Sequence, residues 1–148
     1  MKILLHLSFL GTNYCGYQVQ PNGVTVQQKL NEATRALFGV ECDVVGCSRT
    51  DSGVHANHFC VAVSEKGKNE LISSIPVDRI PMAMARFLPE DIGVFRAEAV
   101  SSEFHPRYDV AFKEYVYRIW NAPTRSPFFA DRAWHYPKPI TKEDLSRM

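Results

Sequence analysis

Apolar and polar positions alternate over Lys2–Phe9. Ile3, Leu5, Leu7 and Phe9 point one way; Lys2, Leu4, His6 and Ser8 point the other. A period of two belongs to a strand with one well-buried face. After the turn-rich stretch GTNYCGYQVQPNG the period changes. Val26, Leu30, Ala33 and Leu37 recur at steps of four, three and four, the apolar stripe of a helix. Thr25-Val-Gln-Gln28 precedes that stripe in capping-box form: Thr25 accepts from the Gln28 amide and the Gln28 side chain reaches back. Gly39 suits the left-handed residue just past the last turn. Residues 42–47 form a short apolar run, and residues 58–63 set Phe59, Val61 and Val63 on one strand face. A second helix begins within Val77-Asp-Arg-Ile-Pro, with Asp78 as candidate cap and Met84, Phe87 and Leu88 on its apolar side. Leu88-Pro89-Glu90-Asp91 stops it. Ile92–Val100 alternates again, Phe95, Ala97 and Ala99 against Arg96 and Glu98.

This β-α-β-β-α-β order predicts an α+β fold of the ferredoxin-like kind: one antiparallel sheet with two helices on one face. Further strands are expected at 112–121, with Lys113, Tyr115, Tyr117 and Ile119 on one face, and at 133–136. Thr141 then caps a helix with acids in its first turn. The chain stops before that helix buries a face, so it reads as the front part of a longer protein. The expected division is a ferredoxin-like subdomain over 1–101, followed by connecting strands and the start of a second α/β half over 102–148.

A length of 148 residues suffices for a real core, and 45% apolar with 22% charged residues is ordinary globular composition. Net charge is +1, so any basic surface must be local. From Phe104 onward eight Lys or Arg stand against five Asp or Glu, whereas the first 64 residues balance four against four. The opening MKILLHLSFLG is too short and too interrupted by His6 for a signal peptide, and no segment is long and apolar enough to span a bilayer. Four irregularly spaced cysteines without a CxxC pair suggest a reduced, cytoplasmic protein.

The candidate chemistry sits in GCSRTDSGVHA, residues 46–56. In an extended loop, side chains two apart share a face, which puts Arg49 beside Asp51. A neighbouring guanidinium favours the ionised carboxylate. Gly53 lets the backbone turn and leaves room beside Asp51 for a planar group. An ionised, accessible carboxylate suits nucleophilic or general-base attack. Bland readings compete: an Asp before Ser-Gly is commonly a turn former, and an exposed Arg–Asp pair contributes only ~0–1 kcal/mol. Ser48 lacks the final glycine of a nucleophile elbow. Cys47, Asp51, His55, His58 and Cys60 match no standard zinc spacing, so no metal site is expected.

SRTDSGVHA closely resembles the signature of the TruA-type tRNA pseudouridine synthases. Gly16-Tyr-Gln18-Val-Gln20 resembles that family's GWQxQ, Thr25-Val-Gln27 with Leu30 its TVQxxL, and Leu88-Pro-Glu-Asp91-Ile its LPxDI. Phe104-His-Pro-Arg107 and Lys113-Glu-Tyr115-Val-Tyr117 resemble FHxR and KxYxY. The core motif is highly specific; the others are individually modest. The resemblance implies an incomplete pseudouridine synthase fold and a reaction on uridines of the tRNA anticodon stem-loop, with no cofactor. It also implies a homodimer for the full-length protein. By position, Asp51 falls on the catalytic aspartate, Arg49 on its partner arginine, and Tyr115 on the tyrosine that packs against the target base. Arg107 and Lys113 are candidate phosphate contacts. His55 is a candidate substrate contact; His55, His58 and His105 are open to structural or RNA-contacting roles. The departures are Tyr17 where tryptophan is usual, Phe59 near a common glutamine, and Ala85 and Phe87 where asparagines often occur.

Two other classes compete. A non-catalytic ferredoxin-like RNA-binding module would carry an RNP1 motif, which is absent. A metal-dependent hydrolase would use Cys47, Asp51 and His55.

Overall fold

The computed structural model describes residues 1–147. The chain divides into two units, Met1–Ala111 and Phe112–Met148. In the first, strands β1 (Lys2–Phe9), β2 (Cys42–Gly46), β3 (Ala56–Glu65) and β4 (Ile92–Val100) form one antiparallel sheet in the order β2-β3-β1-β4. Helices α1 (Val26–Phe38) and α2 (Ile80–Met84) fill the two crossovers. This is the expected ferredoxin-like topology.

Both β1 edges are paired, Leu5 opposite Val61 on one side and Ala97 on the other. Its odd-numbered residues bury against the helices: Leu5 and Leu7 are 0% exposed, and so are Leu30, Ile80 and Met84 facing them in the same cluster. Each such aliphatic side chain contributes roughly 1.5–3 kcal/mol by leaving water. The Thr25 hydroxyl accepts from the Gln28 amide at 3.2 Å, but the Gln28 side chain turns forward to Glu32 at 3.0 Å, so only half the capping box forms. Gly39 closes α1 with φ 72°. The second helix is shorter than its pattern: Val77–Arg79 is a 3-10 turn, and Asp78 lies inside it and makes no cap. Pro81 falls near the start of α2, where its missing N–H costs least.

The other sheet face departs from simple alternation. β4 bulges, with His6 opposite Arg96 but Leu7 opposite Val94, so Phe95 is the extra residue. A bulge reverses the facing of the residues beyond it. Phe95 therefore leaves the face of Ala97 and lies against the rings of His6 and His58. Here His6 bonds Glu98 at 2.6 Å, and that bond, with Arg96 beside it, holds the Glu98 carboxyl below its ordinary value. Part of this face is covered. Leu4, Ala62 and Ser64 are buried, Lys2 Nζ donates to the Phe104 carbonyl at 3.1 Å, and Phe104 and Pro106 line a cleft with Lys2, Ala62 and Ser64.

In the second unit, β5 (Ile119–Trp120) pairs in parallel with β6 (Trp134–His135). Helix α3 (Lys142–Ser146) begins with a complete capping box between Thr141 and Asp144. The long strand expected over 112–121 is confined to its last residues; 112–118 forms no ladder among the described residues. Aromatic and β-branched side chains supply strand propensity, but backbone N–H and C=O groups become a strand only when a neighbour accepts them. No helix among the described residues is long and apolar enough to cross a membrane.

Candidate active site

The GCSRTDSGVHA segment joins β2 to β3, adjacent strands whose pairing continues past Gly46 through the Cys47 amide to the Cys60 carbonyl at 2.9 Å. The loop thus leaves and re-enters the sheet at one place. A second loop, 10–25, braces it. The Tyr17 amide donates to the Thr50 carbonyl at 3.1 Å, and the Gly53 amide and Ser52 hydroxyl donate to the Tyr14 carbonyl at 3.3 and 3.2 Å. Gly11 N–H donates to His55 Nδ1 at 2.9 Å. Gly16 sits at φ 79° with Thr50 O only 2.5 Å from where a Cβ would lie. Only glycine combines that conformation with that approach. The sequence marks 11–23 as turn-rich without showing that it cradles the signature loop; Gly16 is the available signal.

Beneath the loop, Tyr17 and Phe59 rings pack with centroids 4.7 Å apart. Burial pushes the Tyr17 phenol well above its ordinary value; a Cys47 charge adds to the rise and the nearby Arg107 opposes it. Tyr14, which donates its hydroxyl to Asp91, is raised chiefly by burial as well. Tyr14 serves as a neutral hydrogen-bonding group, whereas Tyr17 packs as a neutral ring whose buried hydroxyl has no hydrogen-bond partner among the described residues.

On this brace Asp51 is exposed. Its carbonyl accepts from the Val54 amide at 3.2 Å, closing a turn at Gly53, whose φ is 80°. Its carboxylate makes no hydrogen bond or ion pair among the described residues. Arg49 is also exposed, and no ion pair joins it to Asp51; the chain bends at 47–48 and turns at 52–53, on either side of these two residues. Arg107 is exposed in the first unit and close enough for its charge to act on Tyr17. His55 is half-buried and committed to Gly11. His105 stacks on Tyr108 at 4.4 Å and accepts the Arg107 amide at Nδ1. Tyr115 and Lys113 belong to the second unit, where both are exposed on the unladdered stretch.

A family model described as tRNA pseudouridine synthase matches residues 7–109. The chain is 39% identical to tRNA pseudouridine synthase A of Aquifex aeolicus over 142 residues, covering 96% of this chain and 56% of that protein. Identity is 40% over 150 residues with the enzyme of that name from Ruminiclostridium cellulolyticum, covering 99% and 57%. With that of Thermoanaerobacter sp. it is 35% over 146 residues, covering 99% and 57%. The chain spans about half the length of these curated relatives. The matched region runs from β1 through the braced loop to β4 and beyond, and the chain belongs to the tRNA pseudouridine synthase family.

Proposed function

We propose that the protein isomerises uridine to pseudouridine in the anticodon stem-loop of tRNA, with Asp51 as the catalytic carboxylate. The observation that carries this reading is an exposed carboxylate with no partner of its own among the described residues, on a loop braced by backbone hydrogen bonds. A turn former would spend that carboxylate on local amides. Here Ser52 and Gly53 make the bracing bonds and Asp51 is left for a ligand.

The reaction breaks the bond from uracil N1 to the ribose carbon and joins uracil C5 to that same carbon. The C5 hydrogen leaves to water and N1 takes up a proton. Composition is unchanged, so the balance calls for no oxidant, reductant or nucleotide. The target nucleotide must first leave its stack, at a cost of a few kcal/mol. In this reading Arg49 fills the gap or holds the backbone, Tyr115 stacks on the extruded base, and Arg107 and Lys113 contact phosphates. His55 positions the loop through Gly11 and borders the substrate. Asp51 can add to the sugar, add to the ring, or abstract a sugar proton. Residues 1–101 carry the reacting group, and 102–148 lead toward a second α/β half. The intact enzyme is read as a cytoplasmic homodimer.

Tritium at uridine C5 tests the proposal. Full-length enzyme should release it from tRNA into water. Asp51→Asn should lower release by at least about 10²–10⁴-fold, the range for losing a positioned acid or base, while tRNA binding and unfolding midpoint stay close to the parent. Release that survives in Asp51→Asn removes the role of this side chain. Salt-dependent tRNA binding with no release by the parent enzyme would make the protein a binding module instead.

A further inference from the structure

We propose that His6, His58 and Cys60 form a zinc site on the sheet face turned away from the helices, with Glu98 as the partner that orients His6. The site is independent of Asp51 and of the isomerase reading.

Sheet register assembles it. His6 in β1 lies directly opposite Cys60 in β3, and His58 is two residues from Cys60, on the same strand face. One ligand atom from each of the three falls within 4.8 Å of the other two. Cys60 Sγ is 3.5 Å from His6 Nδ1 and 3.7 Å from His58 Nε2. With Zn–N of ~2.05 Å and Zn–S of ~2.3 Å, a tetrahedral ion sets its N···S edges at about 3.6 Å and its N···N edge at about 3.3 Å. Both sulfur edges therefore already have the required length. The His6 Nδ1 to His58 Nε2 separation is 2.8 Å, a hydrogen bond. It lengthens by about 0.5 Å once an ion replaces the shared proton.

The remaining geometry fits the same conclusion. His6 Nε2, the nitrogen left over, is bonded to Glu98 Oε1 at 2.6 Å. A ligating histidine typically gives its second N–H to a carboxylate, which sets the tautomer and the ring orientation. Arg96 in turn holds the other Glu98 oxygen at 2.9 Å. Phe95, turned to this face by the β4 bulge, lies edge-on to His58 with centroids 5.3 Å apart and walls one side. Two imidazoles and one thiolate favour zinc over magnesium or calcium. His6 is buried, Cys60 half-buried and His58 exposed, which leaves the fourth position to water. On binding, the Cys60 thiol loses its proton to solvent and the His58 ring carries its proton on Nδ1. Linear spacing misses this site because His6 lies 52 positions from His58.

The test uses untagged protein, stripped with chelator and titrated with Co(II), then with Zn(II). One equivalent of Co(II) should produce tetrahedral d–d absorption and a thiolate-to-cobalt charge-transfer band, both abolished by one equivalent of Zn(II). Cys60→Ser should lose the charge-transfer band, while Cys15→Ser keeps it. His58→Gln, at an exposed position, should weaken Zn(II) by at least tenfold, and Glu98→Gln by about 10–100-fold. Absence of stoichiometric binding, or a charge-transfer band that persists in Cys60→Ser, overturns the proposal. So does unchanged affinity in His58→Gln with the circular dichroism of the parent.

Discussion

The two units of this chain respond differently to similar sequence patterns. Lys2–Phe9 alternates and becomes a central strand, paired on both edges. Residues 112–118 also carry strand-favouring side chains, at Phe112, Tyr115, Val116 and Tyr117, yet form no ladder among the described residues. Tyr117 is 95% exposed. Strand propensity is thus permission rather than instruction: it measures fit to a neighbouring pleat. The first unit also shows what a formed sheet makes possible, since loops leaving adjacent strands can be braced by backbone bonds that hold a reactive group in the open.

Perturbing both units tests this contrast. The largest effect is expected inside the sheet. Leu5→Ala should cost about 2–5 kcal/mol in urea unfolding, because it empties a fully buried position between two paired strands. A loss under about 1 kcal/mol would mean that this strand is not the centre of the core. Gly16→Ala should cost at least about 1–2 kcal/mol from the left-handed backbone alone, before its clash with the Thr50 carbonyl is counted. It should also reduce tritium release by moving the loop that carries Asp51; a variant with parental stability and turnover would show that the brace is dispensable.

Acidification probes the second unit. Hydrogen bonds from the Thr141 amide and hydroxyl hold the Asp144 carboxyl below its ordinary value. A depressed carboxylate stabilises fully above its unfolded pKa and loses that contribution as pH falls through the lower folded value. Amide exchange in α3 should accelerate across that acidic window, whereas Asp144→Asn should make it insensitive there; equal acid response in both proteins breaks the assignment. Tyr117→Ala should be the mildest change, within about 0.5 kcal/mol of the parent in the same urea measurement. A large loss would show that this exposed aromatic has a structural partner after all.

Sequence alone determined the features that depend on near neighbours. The strand and helix periods, the Thr25 and Thr141 caps, the Gly39 terminus and the RTDSGVHA loop are all legible, since each rests on residues within a few positions of one another. Register across strands is not legible, because a bulge changes facing without changing composition. Simple alternation accordingly puts Phe95 on the wrong face, and it leaves the meeting of His6, His58 and Cys60 hidden. Two-residue spacing likewise leaves open whether Arg49 and Asp51 pair, and no ion pair joins them in the folded loop. Tertiary structure decided these points because pairing brings together groups far apart in the chain, and only the folded backbone fixes which of them face each other.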